Sequence, residues 1–209
     1  MNERHCHPAA TAIALLAFVL AAPVAAQGTS ISVYGGLRGS GQGLRSNSQP
    51  EQTLRLASSP TLSLALGWPV DPARQLELFA SRQQSELKLA APGTTTTFVP
   101  VRLSLLHLGG TNFIGGHIGH GTYVMGGLGF TQFSPGLAGF ESETRLSMNL
   151  GVGYQWPLST QLAVRAELRG FATLIRSSGS FLCSAGCTVS IQGESLTQVE
   201  ALLGLSWSF

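Results

Sequence analysis

Hydrophobic and polar positions alternate along the last fourteen residues of the chain, Leu196 to Phe209. One register is wholly apolar, whereas the other is mostly small or polar. A period of two over this length predicts a β-strand with one apolar face and one polar face. A strand that exposes so many apolar side chains aggregates in water, so the pattern requires either a packed protein partner or lipid.

Most of the chain before this segment repeats the same period of two. The pattern predicts eight strands: Thr29–Gly39, Thr61–Trp68, Gln75–Glu86, Val99–Leu105, Tyr123–Phe133, Arg145–Trp156, Gln161–Ile175 and Leu196–Phe209. The fifth contains too many glycines for a clean alternation. Tight proline-containing turns follow strands two and six, whereas longer polar loops follow strands one, three, five and seven. The connection after strand four, 109–121, is long for this alternation of turns and loops.

Charged residues of the predicted strands fall on the register opposite the continuous apolar one. Eight of them do so: Arg38, Glu77, Arg102, Arg145, Arg165, Glu167, Arg169 and Glu200. A secreted β-sandwich or a lipocalin-like soluble barrel also buries one alternating face, but it places apolar side chains inside and charges outside. The charges here therefore favour an all-β fold of the opposite kind, an eight-stranded antiparallel up-and-down transmembrane β-barrel. Trp68, Tyr154 and Trp156, beside the tight turns, fit the aromatic girdle of such a barrel.

The first 26 residues have the organisation of a cleavable signal peptide. Arg4 precedes an apolar run over 9–20, and the small residues Val24 and Ala26 predict cleavage after residue 26. The alternative is an uncleaved amino-terminal anchor helix, which Pro23 disfavours. The predicted domains are a signal peptide over 1–26 and one barrel domain over 27–209.

Composition argues against several other classes of protein. Charged residues make up only 11% of the chain and glycine contributes 26 residues, a balance that suits tightly turning strands. After the signal peptide, no stretch approaches the ~18 uninterrupted apolar residues of a spanning helix, which argues against a helical membrane protein. The formal net charge of +2 is too small to indicate nucleic acid as a partner.

The charges expected inside the barrel are the first candidates for function. The interior of an eight-stranded barrel is only wide enough for side chains to fill it. Five arginines and three glutamates there would form a hydrogen-bonded network that keeps the barrel shut, because unpaired buried charges are costly. The functional alternative is a selective pathway that favours anions, because arginine exceeds glutamate. The sequence does not reveal which arginine pairs with which glutamate.

Cysteine and histidine residues are the next candidates. Cys183 and Cys187 are the cysteines left after signal removal, and both lie in the predicted loop before the last strand. An exported compartment favours a disulfide between them, with a metal site or free thiols as alternatives. His107, His117 and His120 lie in or beside the glycine-rich connection after strand four. No acidic residue accompanies them, so we expect solvated turn residues and no metal, cofactor or catalytic site.

Three short patterns carry a resemblance to a known family. They are Tyr-x-x-Gly-Gly-Leu-Gly at 123–129, Glu-Thr-Arg-Leu-Ser at 143–147 and Phe-x-Cys-x-x-x-Cys at 181–187. The mature sequence resembles the small outer-membrane β-barrel proteins of the OmpA/OmpX-like, porin-like superfamily, in an uncharacterised branch. This resemblance implies a bacterial outer-membrane location, contact with outer-membrane lipid, short turns in the periplasm and long loops outside the cell. It also implies that Leu205, Trp207 and Phe209 form the carboxyl-terminal signal read by the barrel-insertion machinery.

The function implied by the resemblance is non-enzymatic. We expect a monomeric barrel that serves membrane integrity or surface interaction, with an extracellular ligand bound through its loops. The alternative is a narrow porin-like channel for small solutes with an arginine-rich lumen. A lipid-modifying enzyme is less favoured, because lipid A deacylase barrels carry a His-x-Ser pair in a late strand, where 165–171 reads Arg-Ala-Glu-Leu-Arg-Gly-Phe. Palmitoyltransferase barrels need histidine and serine at the extracellular rim, and no histidine is near Ser177 and Ser178 in sequence.

Overall fold

The computed structural model describes residues 28–40, 44–46, 53–90, 97–135, 142–174, 191–192 and 195–209. Eight long strands account for most of them: β1 Ser30–Ser40, β2 Ser59–Pro69, β3 Arg74–Ala90, β4 Thr97–Phe113, β5 Gly121–Pro135, β6 Glu143–Pro157, β7 Leu162–Leu174 and β8 Ser195–Ser208. Three short strands, Leu44–Ser46, Thr53–Leu56 and Ile191–Gln192, extend the sheet beside the last residues of β3. No helix in the described ranges is long and apolar enough to cross a membrane.

The eight long strands form a closed wall. Each pairs antiparallel with the next along the chain. β8 then pairs with β1, from Ser208 opposite Ser30 to Gln198 opposite Ser40, which closes the sheet into a barrel. Closure satisfies the backbone hydrogen-bonding groups within the wall and leaves no open sheet edge along it, as a bilayer requires. The predicted eight-stranded antiparallel barrel is therefore confirmed.

The strands are staggered around the barrel. Each residue of a strand is paired with one residue of the next strand, so a series of paired residues can be followed once around the barrel from β1. This series is Ser30, Gly67, Glu77, Gly109, Gly127, Asn149, Phe171, Gln198 and Ser40. The series returns to β1 ten residues beyond its start. Closing a barrel with such a stagger tilts the strands by roughly 35–45° from the barrel axis. Eight strands tilted in this way enclose a space that side chains can fill.

Short turns and long connections lie at opposite ends of the barrel. The turns 70–73, 114–120 and 158–161 share one end, called here the turn end, with the start of β1 and the end of β8. The longer connections begin and finish at the opposite end, the loop end. The turn after β4 is compact despite its length, because Gly116 and Gly119 adopt positive φ and the Ile118 N–H donates to the Pro72 carbonyl at 2.8 Å.

The alternation along each strand separates an apolar outer face from a largely polar inner face. Large apolar side chains are exposed on the outside, up to 73% at Leu150. Alternate residues such as Ser63, Gln155 and Glu200 are buried on the inside. This reverses the arrangement of water-soluble proteins and is the one that a lipid bilayer stabilises. The outward aromatic side chains Trp68, Tyr154, Trp156 and Trp207 lie near the turn end.

Candidate functional site

Four charged side chains meet inside the turn-end half of the barrel. Arg165, Glu167 and Arg169 alternate along β7 and therefore all project inward, while Glu77 comes from β3 on the facing wall. The Arg169 guanidinium donates to Glu167 Oε2 at 2.7 Å and to Glu77 Oε1 at 3.0 Å. Arg165 Nη2 lies 3.6 Å from Glu167 Oε1 and 3.9 Å from Glu77 Oε2. The two arginines and two glutamates thus form one neutral, interlocked cluster.

Two tyrosine hydroxyls complete the surroundings of Glu167. Tyr34 and Tyr123 both donate to its Oε1, at 2.7 Å and 2.8 Å. The Tyr123 oxygen in turn accepts a hydrogen bond of 2.8 Å from Arg165 Nε, and the Arg165 guanidinium carbon lies 4.5 Å from the centre of the Tyr123 ring. Buried charges are stable only when they are both paired and hydrogen-bonded, and Glu167 meets both conditions.

A second buried ion pair lies nearer the loop end. Arg38 on β1 and Glu200 on β8 are directly opposite in register, with 2.9 Å between Nη2 and Oε2. The Arg38 guanidinium also donates to Ser81 and lies over the Phe171 ring, 4.8 Å from its centre. Both charged side chains are fully buried. This pair therefore ties β1 to β8 at the seam that closes the barrel.

Apolar side chains close the interior on both sides of the charges. At the turn end, Phe113 packs against Tyr123 with ring centroids 4.9 Å apart, and Ile118 covers them from the turn. At the loop end the buried apolar residues are Val101, Leu103, Leu105, Phe133 and Leu196. The six charges between these layers are each at most 5% exposed. Among the described residues, apolar and charged side chains thus occupy the lumen from the turn end to the loop end.

The structure corrects the predicted position of Arg102. Its side chain is exposed on the outward register of β4, because Val101 and Leu103 on either side of it face inward. Arg145 is on the inward register but at the loop-end rim, 21% exposed and ion-paired with Glu143. The other predicted interior charges lie within the barrel: Arg38, Glu77, Arg165, Glu167, Arg169 and Glu200. Three arginines thus face three glutamates there, and the expected arginine excess is absent from the described interior.

His107 is a buried polar residue that sequence reasoning misplaced. The prediction of a solvated turn residue is wrong, because its side chain is 1% exposed on the inner face of β4. Its Nε2 lies 2.8 Å from Ser147 Oγ, which also accepts a hydrogen bond of 3.0 Å from Thr131. In the described chain its Nδ1 has no hydrogen-bond partner, so the pair lacks the orienting carboxylate of a catalytic triad. The alternation of Leu103 and Leu105, continued by one step, places His107 in the strand and on the same face as these leucines, but the sequence assigned that face to lipid.

The remaining predicted sites have different outcomes. Cys183, Cys187 and the signal peptide over 1–26 lie outside the described residues, so the disulfide stays a prediction. Among the described residues, no group of three or more metal-ligating side chains is placed to hold an ion. Leu205, Trp207 and Phe209 face outward at the turn end, with Phe209 N–H donating to the Thr29 carbonyl at 2.9 Å. Their role as an insertion signal stays a prediction.

Several solved outer-membrane proteins share this architecture. Neisserial surface protein A superposes with a TM-score of 0.53 at 13% identity, covering 88% of this chain and 99% of its own. OprG from Pseudomonas aeruginosa gives 0.57 at 12% identity, covering 88% and 97%. AlkL, determined in lipid bilayers, gives 0.56 at 13% identity, covering 100% and 97%. No family model and no curated protein sequence matches the chain.

The chain has the fold of the small outer-membrane β-barrels. Together with the exposed apolar outer face, this fold indicates a bacterial outer-membrane protein. Identities of 12–13% establish the architecture alone, since one fold hosts many functions. The features that bear on the role of the barrel are therefore those of its own interior and surface.

Proposed function

We propose that this protein is a non-enzymatic outer-membrane barrel with a sealed interior, which serves membrane integrity or surface interaction through its loop end. The observation that carries the proposal is the filled lumen. Six charges are buried in mutual contact between two apolar layers, each at most 5% exposed. A rigid closed scaffold of this kind presents its longer connections to the outside, where binding residues of such scaffolds are usually found.

The charge cluster supports a sealed lumen over a conducting one. An ion that crossed the barrel would have to separate Arg169 from Glu77, which lie on opposite walls and are joined at 3.0 Å. Separating a buried pair leaves uncompensated charge in a dry interior, which is strongly unfavourable. The equal numbers of buried arginine and glutamate also remove the basis for an anion-selective channel.

Single-channel recording in planar lipid bilayers tests this proposal. We expect no conductance steps from the wild-type protein. The double variant Glu77→Ala/Arg169→Ala removes the side chains that bridge the lumen but leaves the apolar layers at both ends, so it is expected to remain silent, as is Arg74→Gln at the exposed turn. A steady ohmic conductance of the wild-type protein would overturn the sealed lumen and favour the narrow solute channel.

An enzymatic role finds little support in the interior. The His107–Ser147 pair is buried beneath the Phe171 ring, 5.6 Å from the histidine ring, and offers no access to a lipid substrate. Lipid A mass spectra of cells with and without the protein test this point. We expect identical spectra, and an acyl-chain difference that disappears with Ser147→Ala would contradict the proposal.

The assembly proposed for the barrel is a monomer in lipid. Large apolar side chains face outward on every wall, for example Leu37, Leu64, Leu128, Leu150 and Leu203 on β1, β2, β5, β6 and β8. A belt that continues around the barrel suits contact with lipid on all sides. We also propose that the barrel-insertion machinery engages the outward carboxyl-terminal residues Leu205, Trp207 and Phe209 during biogenesis.

A further inference from the structure

The apolar outer face ends on β3 and β4 at a small polar surface, here called the arginine patch, formed by Arg82, Gln84, Arg102 and Ser104. Toward the loop end, Arg82 is the next outward residue after Ala80 on β3, and Ser104 is the next outward residue beyond Leu106 on β4, which it precedes in the chain. Arg82 is directly opposite Ser104, and Gln84 is directly opposite Arg102. Side chains opposite each other on paired strands are neighbours, so the four residues form one continuous surface.

The arginine patch lies at the loop-end border of the lipid-facing belt. Arg82 is opposite Leu62 on β2, which is the last large apolar residue of that strand toward the loop end. Ser104 is opposite Gln132 on β5, which follows the exposed Phe130. Apolar side chains therefore stop at the same level on the strands to either side. In an outer-membrane barrel this level is where acyl chains give way to headgroups.

Both arginines of the patch are available to a ligand. Their side chains are exposed, and within the described ranges neither makes a hydrogen bond or ion pair. Glu86 lies two positions beyond Gln84 on the same face, so the three charged residues carry a net charge of +1. A guanidinium at the membrane interface binds phosphate well, because its planar donors match two phosphate oxygens at once.

A lipid-facing groove lies directly below the arginine patch. It is shallow and open on its outer side, with a volume of about 450 Å³ and an almost wholly apolar lining. Val33, Leu64 and Ala80 line it, and Arg82 and Ser104 stand at its loop-end edge. The groove exists because Ala80 is small, whereas the neighbouring outward positions carry leucine. Its apolar wall fits an acyl chain, and its polar edge fits the headgroup of the same molecule.

We propose that this surface is a binding site for one phosphorylated lipid A molecule of the outer leaflet. A lipid A phosphate binds Arg82 and Arg102, and one acyl chain lies in the groove against Ala80. The observation behind this proposal is the juxtaposition of two exposed interfacial arginines with an apolar groove on the same hairpin. The proposal rests on the outer-membrane placement argued above, with the loop end outside the cell. It gives the membrane-integrity role a molecular partner.

Native mass spectrometry of the folded, detergent-purified barrel with added bisphosphoryl lipid A tests the site. Each arginine near an anionic lipid surface contributes about fivefold in affinity, so Arg82→Gln/Arg102→Gln is expected to weaken binding about 25-fold. Ala80→Leu fills the groove and is expected to weaken binding roughly tenfold. The matched controls are Arg74→Gln at the turn end and Ala166→Leu on the outer face of β7, and both are expected to bind as the wild type does.

Two further ligands test whether the site recognises the phosphate of lipid A or binds any phosphate. Dephosphorylated lipid A is expected to bind as weakly as lipid A binds the double arginine variant, and inorganic phosphate is expected not to compete at millimolar concentration. Undiminished binding to the arginine variant or to Ala80→Leu would overturn the site, as would competition by inorganic phosphate alone. Heat-modifiable gel mobility of every variant reports a folded barrel independently, so failure of this site is distinguishable from failure of the proposed barrel.

Discussion

Arg169 and Glu77 join opposite walls of the barrel. Their strands, β7 and β3, are four places apart in a ring of eight, and Nη2 of the arginine donates to Oε1 of the glutamate at 3.0 Å. A second hydrogen bond, of 2.7 Å, ties the same guanidinium to Glu167 on its own strand. An ion pair therefore connects the two sides of the lumen, in addition to the side chains that pack within it.

Breaking this bridge is expected to destabilise the barrel strongly. Glu77→Gln or Arg169→Gln leaves an uncompensated buried charge, and each is expected to lower the free energy of unfolding by about 3–5 kcal/mol. The double variant is expected to lose less than the sum of the two, with a coupling of about 1–3 kcal/mol. Urea unfolding in phospholipid vesicles measures all three values.

The control for this pair is Arg74→Gln. Arg74 lies 3.7 Å from Asp71 in an exposed turn, with 69% of its own side chain exposed. Exposed ion pairs contribute little, so we expect a change below about 1 kcal/mol. Strictly additive losses at Glu77 and Arg169 would contradict a direct interaction between them.

Gly153 makes room for Tyr123, and replacing it by alanine tests that packing. A Cβ at Gly153 would lie 2.4 Å from Cζ of the Tyr123 ring, far inside contact distance. Gly153→Ala is expected to displace the tyrosine from Glu167 and to destabilise the barrel by about 1–3 kcal/mol. Unfolding in vesicles measures the loss.

Gly126→Ala is the matched control for that substitution. The nearest atom to a Cβ at Gly126 is 3.5 Å away, an ordinary contact, so the alanine fits without displacement. We expect stability equal to or slightly above that of the wild type, because alanine loses less backbone entropy on folding. Equal losses for both variants would show that glycine is needed for the strands generally and not for Tyr123.

Comparing substitutions of Arg102, on β4, and of the buried Arg38, on β1, tests whether Arg102 faces outward. Arg38→Gln removes a fully buried partner of Glu200 and is expected to destabilise the barrel by about 3–5 kcal/mol. Arg102 faces outward near the lipid interface, so Arg102→Gln is expected to change stability by at most about 1 kcal/mol in phosphatidylcholine vesicles. A large loss of stability in Arg102→Gln would contradict this register and indicate that the Arg102 side chain faces the lumen.

The fold follows from sequence because lipid and lumen impose the same alternation on most strands. On β8 the apolar register Val199, Leu203 and Leu205 is exposed and the polar residues Gln198 and Glu200 are buried, as predicted. Period two, turn chemistry and the placement of charge sufficed to define eight strands and, on most of them, the face turned to lipid.

The β4 register could not be predicted in the same way. On the loop-end side of the lipid-facing belt, the outer face of the strand contacts water or headgroups, and the inner face packs in an apolar layer. The apolar residues of β4 therefore change from the outer face to the inner face there. Val101 and Leu103 face inward and Arg102 faces outward, whereas further along the strand Leu106 and Leu108 face lipid. The adjacent leucines 105 and 106 mark the position where the apolar register changes face. The predicted fourth strand ended at Leu105, so it did not include this change.

The pairing of interior charges also lies beyond sequence reasoning. Tyr34 and Tyr123 reach Glu167 from β1 and β5, on either side of β7. Such contacts depend on the ten-residue stagger of the closed wall, which no local pattern encodes. Sequence identified most of the charged residues, and closure determined their partners.

Tryptophan fluorescence in vesicles of brominated lipids tests most directly whether the protein is an inside-out barrel in a bilayer. The three tryptophans, Trp68, Trp156 and Trp207, all face outward near the turn end. We expect strong quenching that is greatest for bromines near the headgroup, with little quenching by aqueous acrylamide. Fluorescence that is insensitive to brominated lipid and quenched by acrylamide would contradict it and indicate a water-soluble barrel.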